Sequence, residues 1–176
     1  MKKRLDKITD LYWYLLENTK YHERYVYYSL KKTSTIVNRF DLFQAFVSCG
    51  FVAAWTVWEK LDFLWATLIA ISQLITALKS HIPYYKRKIN LQNAYIQLST
   101  LCQHMEYDWC ECFLKITDKN MITNDLCDNI DSLYKKYYSD FQKIINNDPN
   151  DFIKEDETIE KKAKAETRNF LQKFCK

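Results

Sequence analysis

A single glycine, Gly50, and two prolines, Pro83 and Pro149, are all that 176 residues contain of the two strongest chain breakers. Glycine supplies the left-handed backbone of tight turns and phosphate-cradling loops, and proline punctuates strands and turns. A chain so poor in both has little from which to build hairpin turns, bulges or Gly-rich loops. Long helices are what it can make, and the expected fold class is all-α. The same scarcity excludes Walker and Rossmann phosphate loops.

Mean hydropathy is −0.41, a value typical of water-soluble chains. The average hides a concentration of apolar residues in one quarter of the sequence. Leu42 to Trp58 (LFQAFVSCGFVAAWTVW) and Phe63 to Leu78 (FLWATLIAISQLITAL) are free of charge. Each run spans roughly 24–26 Å as a helix, against about 30 Å of hydrocarbon in a bilayer. Flanking residues extend them: Phe40 on the first, and Lys79, Ile82, Tyr84 and Tyr85 on the second. The sequence therefore predicts a transmembrane helical hairpin over 40–82, with helices near 40–58 and 63–80 joined by Glu59-Lys60-Leu61-Asp62.

Charge and aromatic placement agree with that expectation. Lys31, Lys32 and Arg39 precede the first run, and Lys79, Lys86, Arg87 and Lys88 follow the second, whereas the turn carries only Lys60. The positive-inside rule then places both termini in the cytoplasm of a multi-pass inner-membrane protein. Trp55, Trp58 and Trp65 cluster at the turn, and Phe40, Tyr84 and Tyr85 at the other interface. Ala45, Cys49 and Ala53, with Ala66 and Ala70, are small residues at four-residue spacing that would let the two helices approach. The alternative is a soluble bundle with an unusually apolar central hairpin, since runs of this length lie at the lower edge of the spanning range.

The remainder reads as helices with heptad-like seams. Residues 1–39 form an N-terminal cytoplasmic helix with Leu5, Ile8, Tyr12, Leu15, Thr19, His22, Val26 and Ser29 on one face. No breaker separates it from the first apolar run, so one long helix is expected to pass through both. The C-terminal region 83–176 divides into helices near 85–117, 123–146 and 151–174, with a loop at Asn146-Asn147-Asp148-Pro149-Asn150. The N-terminal helix and 85–117 leave the hairpin on the same side and should pack antiparallel. The whole is a two-helix transmembrane hairpin continuous with a cytoplasmic helical bundle.

No constellation for catalysis is present, and no enzyme, metal or cofactor is expected. The histidines are His22, His81 and His104. His104 lies near Cys102, Glu106, Asp108, Cys110 and Cys112, but residues two apart on a helix point in different directions, so the cluster does not converge as a zinc site. The six cysteines, which include Cys49, Cys127 and Cys175, form no CxxC pair and read as free thiols.

Polar residues inside the apolar hairpin are the better candidates for function. Asp41, Gln44 and Ser48 share a face of the first helix, and Ser72, Gln73, Thr76 and Ser80 form a stripe on the second. Folding about the turn brings Gln44 level with Thr76 and Ser48 level with Gln73. Polar groups in hydrocarbon are costly unless paired or facing water. They either hold an oligomer together or line a polar path through it, and two helices cannot enclose a pore without further copies. Lys31, Lys32, Lys86, Arg87 and Lys88 form a basic collar suited to anionic lipid or an anionic ligand. A net charge of +4 gives no reason to expect direct nucleic-acid binding.

The layout resembles the SLATT family of bacterial two-transmembrane effector domains over about residues 1–120. It is carried by a basic N-terminal helix, the hairpin FDLFQAFVSCGFVAAWTVWEKLDFLWATLIAISQLITAL and a long helix opening with PYYKRKINLQNAY. The resemblance implies a homo-oligomeric effector in prokaryotic conflict. It would form a pore or disrupt the inner membrane when a partner protein or nucleotide signal reports phage infection. A non-conducting membrane scaffold whose cytoplasmic helices recruit a partner is the alternative. The family is not defined by catalytic residues, so none transfers.

Overall fold

The computed structural model describes residues 2–54, 62–78, 83–117, 124–147 and 156–174, and all regular structure among them is helical. The elements are α1 (Lys2–Ala54), α2 (Asp62–Leu78), α3 (Pro83–Thr117), α4 (Asn124–Asn146) and α5 (Glu157–Phe174). α1 is one uninterrupted helix of 53 residues, about 80 Å long. It contains no proline, and its single glycine falls in its last turns. Pro83 stands at the first position of α3, where its missing N–H is not needed by the helix and its fixed φ favours helical backbone.

The chain divides into two compact units, Met1–Ser29 with Leu91–Lys176, and Leu30–Asn90. This division differs from the expected boundaries at 39 and 83. α1 and α3 each run through both units, so neither boundary coincides with a helix end. The side-chain contacts along each helix, not its termini, decide where one unit stops.

In the first unit α1 and α3 run antiparallel. Tyr12 Oη donates to the Met105 carbonyl at 2.8 Å. The Trp109 ring stacks on Tyr12 at 5.4 Å and meets Trp13 edge-on at 5.0 Å. Further along, Tyr27 meets Tyr95. Seven of the eight seam residues of α1 are buried, the exception being half-buried His22. Leu91, Leu98, Cys102, Met105, Trp109 and Cys112 are buried from α3, and Leu126, Cys127, Ile130, Tyr137 and Phe141 from α4. Burying aliphatic and aromatic side chains at three- and four-residue spacing is the main stabilising term for such a bundle.

α5 begins at Glu157, with Asp156 as its cap: Asp156 Oδ1 accepts from the Thr158 and Ile159 amides at 3.0 and 3.3 Å. The sequence expectation started this helix near 151. An aspartate that satisfies two free amides, followed by Glu157 and Glu160 in the positive first turn, is a stronger start signal than the hydrophobic period. Ile159 and Ala163 of α5 pack with Tyr25, flanked by Tyr21 and Tyr28 of α1.

The second unit has the opposite distribution of polarity. Among its described residues the buried side chains are Thr33, Val37, Val47 and Ser72, whereas Leu42, Phe46, Phe63 and Leu74 are 71%, 70%, 87% and 59% exposed. Phe43 and Ile71 are exposed as well. Among the described residues no helix is long and apolar enough to cross a membrane. The described part of α2 has 17 residues, about 25 Å.

Candidate functional site

The second unit brings part of the polar stripe together. Gln44 Nε2 donates to Thr76 Oγ1 at 2.7 Å and lies 3.4 Å from the Ser72 carbonyl. Thr76 Oγ1 in turn donates to the Ser72 carbonyl at 2.9 Å. The Thr76 hydroxyl folds back on the carbonyl four residues earlier, so the two oxygens lie side by side and one glutamine nitrogen reaches both. The carboxamide's donor is thus occupied within the protomer, in a helix pair otherwise lined by Val47 and buried Ser72.

At one end of this seam Tyr85 Oη donates to Asp41 Oδ1 at 2.7 Å. One turn further along, Lys88 Nζ is 3.5 Å from Asn38 Oδ1. These contacts tie the start of α3 to α1. Gln73 is exposed, one position round the helix from the Ser72–Thr76 face. The Ser48 side chain and Ser80 lie outside the described residues.

Of the small residues expected at the helix contact, the side chains of Cys49 and Ala53 lie outside the described residues, and the other three are not buried. Ala45, Ala66 and Ala70 are exposed, as is Ala77. Among the described residues, Gln44 reaches across to Ser72 and Thr76, and Val47 and Ser72 are buried. Of the basic collar, Lys31, Lys32 and Lys86 are exposed and Arg87 and Lys88 half-buried.

The first unit contains a buried charge cluster that sequence reasoning missed. Lys20 Nζ of α1 lies 2.9 Å from Glu23 Oε2 and 3.1 Å from Glu106 Oε1 of α3. It also sits 4.6 Å over the Phe170 ring of α5. The Lys20 and Glu23 side chains are only 10% and 5% exposed. Burial alone would lower the lysine's pKa, but the hydrogen bond to Glu23 and the two carboxylate charges outweigh it and hold the ammonium above its ordinary range. The Cys102 thiol beside it is pushed strongly upward by burial and then by the Glu23 charge, so it stays protonated and unreactive. The sequence signal was available: Lys20 and Glu23 flank the apolar seam at three-residue spacing, and Glu106 follows buried Met105.

Two more polar contacts cross the bundle. Tyr137 Oη donates to Asp108, and Tyr28 Oη to Glu166, which also lies 3.5 Å from Arg24. His22 Nδ1 faces the Asn18 carbonyl at 2.9 Å, and its ring meets Phe141 edge-on. Burial lowers its pKa, only partly offset by that carbonyl. The described cysteines, Cys102, Cys110, Cys112 and Cys127, are free thiols. Cys110 is exposed and Cys112 buried, so these two, which stand two residues apart, point in different directions.

No family model, curated protein or solved structure matches the chain.

Proposed function

We propose that the chain is an oligomeric membrane effector of bacterial antiphage defence. Its hairpin would enter the inner membrane with both termini cytoplasmic, and form a pore or disrupt the bilayer when a partner protein or nucleotide signal triggers it. The observation that carries the membrane part is the inverted polarity of the second unit. Threonine, serine and valine are inside, and leucine and phenylalanine are outside. In water such a surface costs free energy, whereas against lipid tails it is neutral and the internal hydrogen bonds strengthen. The apolar runs of the sequence also continue beyond the described residues to Trp58 on the first helix, and snorkelling flanks extend both. The antiphage setting rests on the family resemblance alone.

Two features support assembly. The exposed alanines 45, 66 and 70 leave a face on which another helix can approach closely, and Gln73 beside them is an amide that hydrocarbon would leave unpaired. With Gln44, Ser72 and Thr76 engaged within the protomer, Gln73 is, among the described stripe residues, available to a neighbouring copy or to a polar path. The non-conducting scaffold is the second reading, favoured by the same internal engagement of Gln44.

Carbonate extraction of expressing cells tests the membrane step: the protein should stay in the pellet, and release into the soluble fraction refutes it. Membrane potential then separates the two readings. Depolarisation that Gln73→Leu abolishes, with the oligomer intact on crosslinking, supports a path. Loss of the oligomer in the same variant supports assembly alone.

A further inference from the structure

A groove of about 390 Å³ runs between α1 and α5 in the first unit. Tyr14, Glu17, Asn18 and Tyr21 line it from α1, and Lys164, Thr167, Arg168 and Leu171 from α5. Each helix thus offers a complete stripe at i, i+3, i+4 and i+7, the positions that normally close two helices on each other. Here they stay apart. Thr167 is 4% exposed, and its hydroxyl is buried without a hydrogen-bond partner, although buried hydroxyls are almost always paired.

The charges of the groove are ordered along its length. α5 runs antiparallel to α1, since Lys20 meets Phe170 and Arg24 meets Glu166. Arg168 is therefore level with Tyr21, and Glu17 lies about 7 Å further along, toward the Leu171 end. Lys164 is occupied by Glu160 at 2.5 Å. Arg168 makes no ion pair among the described residues and is the cation free to receive a ligand. A guanidinium holds a carboxylate or phosphate with two parallel hydrogen bonds. Tyr14 and Tyr21 offer ring faces to a flat apolar body, and the volume falls within the range of small-molecule sites.

We infer that this groove binds a flat aromatic acid. The acidic group meets Arg168 beside Tyr21, the ring lies along α1 between Tyr21 and Tyr14, and the Thr167 hydroxyl with the Asn18 carboxamide fixes its orientation. Glu17 receives a hydrogen-bond donor at the far end of the ring. The site lies wholly in the first unit and does not depend on what the hairpin does.

The probe is 4-aminobenzoate, which carries an acid and a donor at opposite ends of one ring. It is compared with 4-aminobenzamide, the same shape without the charge. Binding to the purified full chain is followed by saturation-transfer NMR, with a protein-free sample subtracted. The acid should bind saturably at about 1 mM or tighter, as suits so small a fragment, and the amide at least tenfold more weakly. Arg168→Gln should reduce the acid to the affinity of the amide, and Arg168→Lys should restore part of it. Thr167→Val should weaken binding while raising the melting temperature of the unliganded protein, because it removes an unpaired buried hydroxyl. A purely structural Thr167 would not separate these signs. Equal binding of acid and amide, unchanged affinity in Arg168→Gln, or no saturable binding overturns the inference.

Discussion

Replacing Lys20 by methionine removes the cation from a cluster that holds two carboxylates. At 2.9 and 3.1 Å, and with an effective dielectric constant of about 20, each attraction amounts to about 5–6 kcal/mol before desolvation is subtracted. Most of that gain is offset by the cost of burying the charges, so the pair itself contributes little net stability. The asymmetry appears on truncation. Lys20→Met leaves Glu23, whose side chain is 5% exposed, without a counter-charge, and the expected loss is about 3–5 kcal/mol. For a unit of this size that is a fall of about 15 °C in melting temperature. Glu23→Gln should cost only about 1–2 kcal/mol, because Lys20 keeps Glu106 and the Phe170 ring. In the double variant Lys20→Met/Glu23→Gln the remaining carboxylate, Glu106, is 26% exposed and reached by water. Its stability should return to within about 1 kcal/mol of Glu23→Gln, a coupling far from additive. Amide hydrogen exchange over residues 12–26 and 98–109 of the full chain reads this locally. A single Lys20→Met loss below about 1 kcal/mol, or strict additivity in the cycle, would refute the reasoning.

Three other outcomes follow from the same structure. His22 has a lowered pKa in the folded state, from 6.5, so its contribution is complete above that pH and is lost as pH falls from there toward the folded value; a stability–pH curve between pH 7 and 5 should flatten in His22→Gln. Leu16 is fully buried, and Leu16→Ala should cost about 2–5 kcal/mol by cavity formation, measured by the same exchange experiment. Gln44→Leu removes the side-chain bridge from α1 to Thr76 of α2; in a bilayer the loss should be about 0.6–1.7 kcal/mol, seen as faster exchange at Ser72–Thr76 without loss of the helices.

Much of the bundle was legible because its physics is local and periodic. The seam from Leu5 to Ser29 could be read from spacing alone, since a helix repeats every 3.6 residues and only one face can be buried. The antiparallel pairing of α1 with α3 followed from chain direction around a hairpin. The start of α5 at Asp156 was also written in the sequence, as a capping aspartate, but the apolar period drew the expectation upstream. The depth match of Gln44 with Thr76 came from counting residues about a turn. Which face of each helix then turned inward did not, and the alanine stripe came out exposed.

The sequence by itself determined that this chain is all-helical, because one glycine and two prolines leave almost nothing else to build, and it determined which faces are apolar. Tertiary structure alone decided which polar side chains meet. Lys20 and Glu106 are 86 residues apart, and a lysine and a glutamate on separate helices carry no mark that they will share a buried site. The groove between α1 and α5 has the same origin. Two well-patterned stripes predict closure, and only the folded structure shows them lining a groove instead. Periodicity fixes a helix face; the rotation and spacing of helix pairs depend on side chains distant in sequence, whose contacts exist only once the chain has folded.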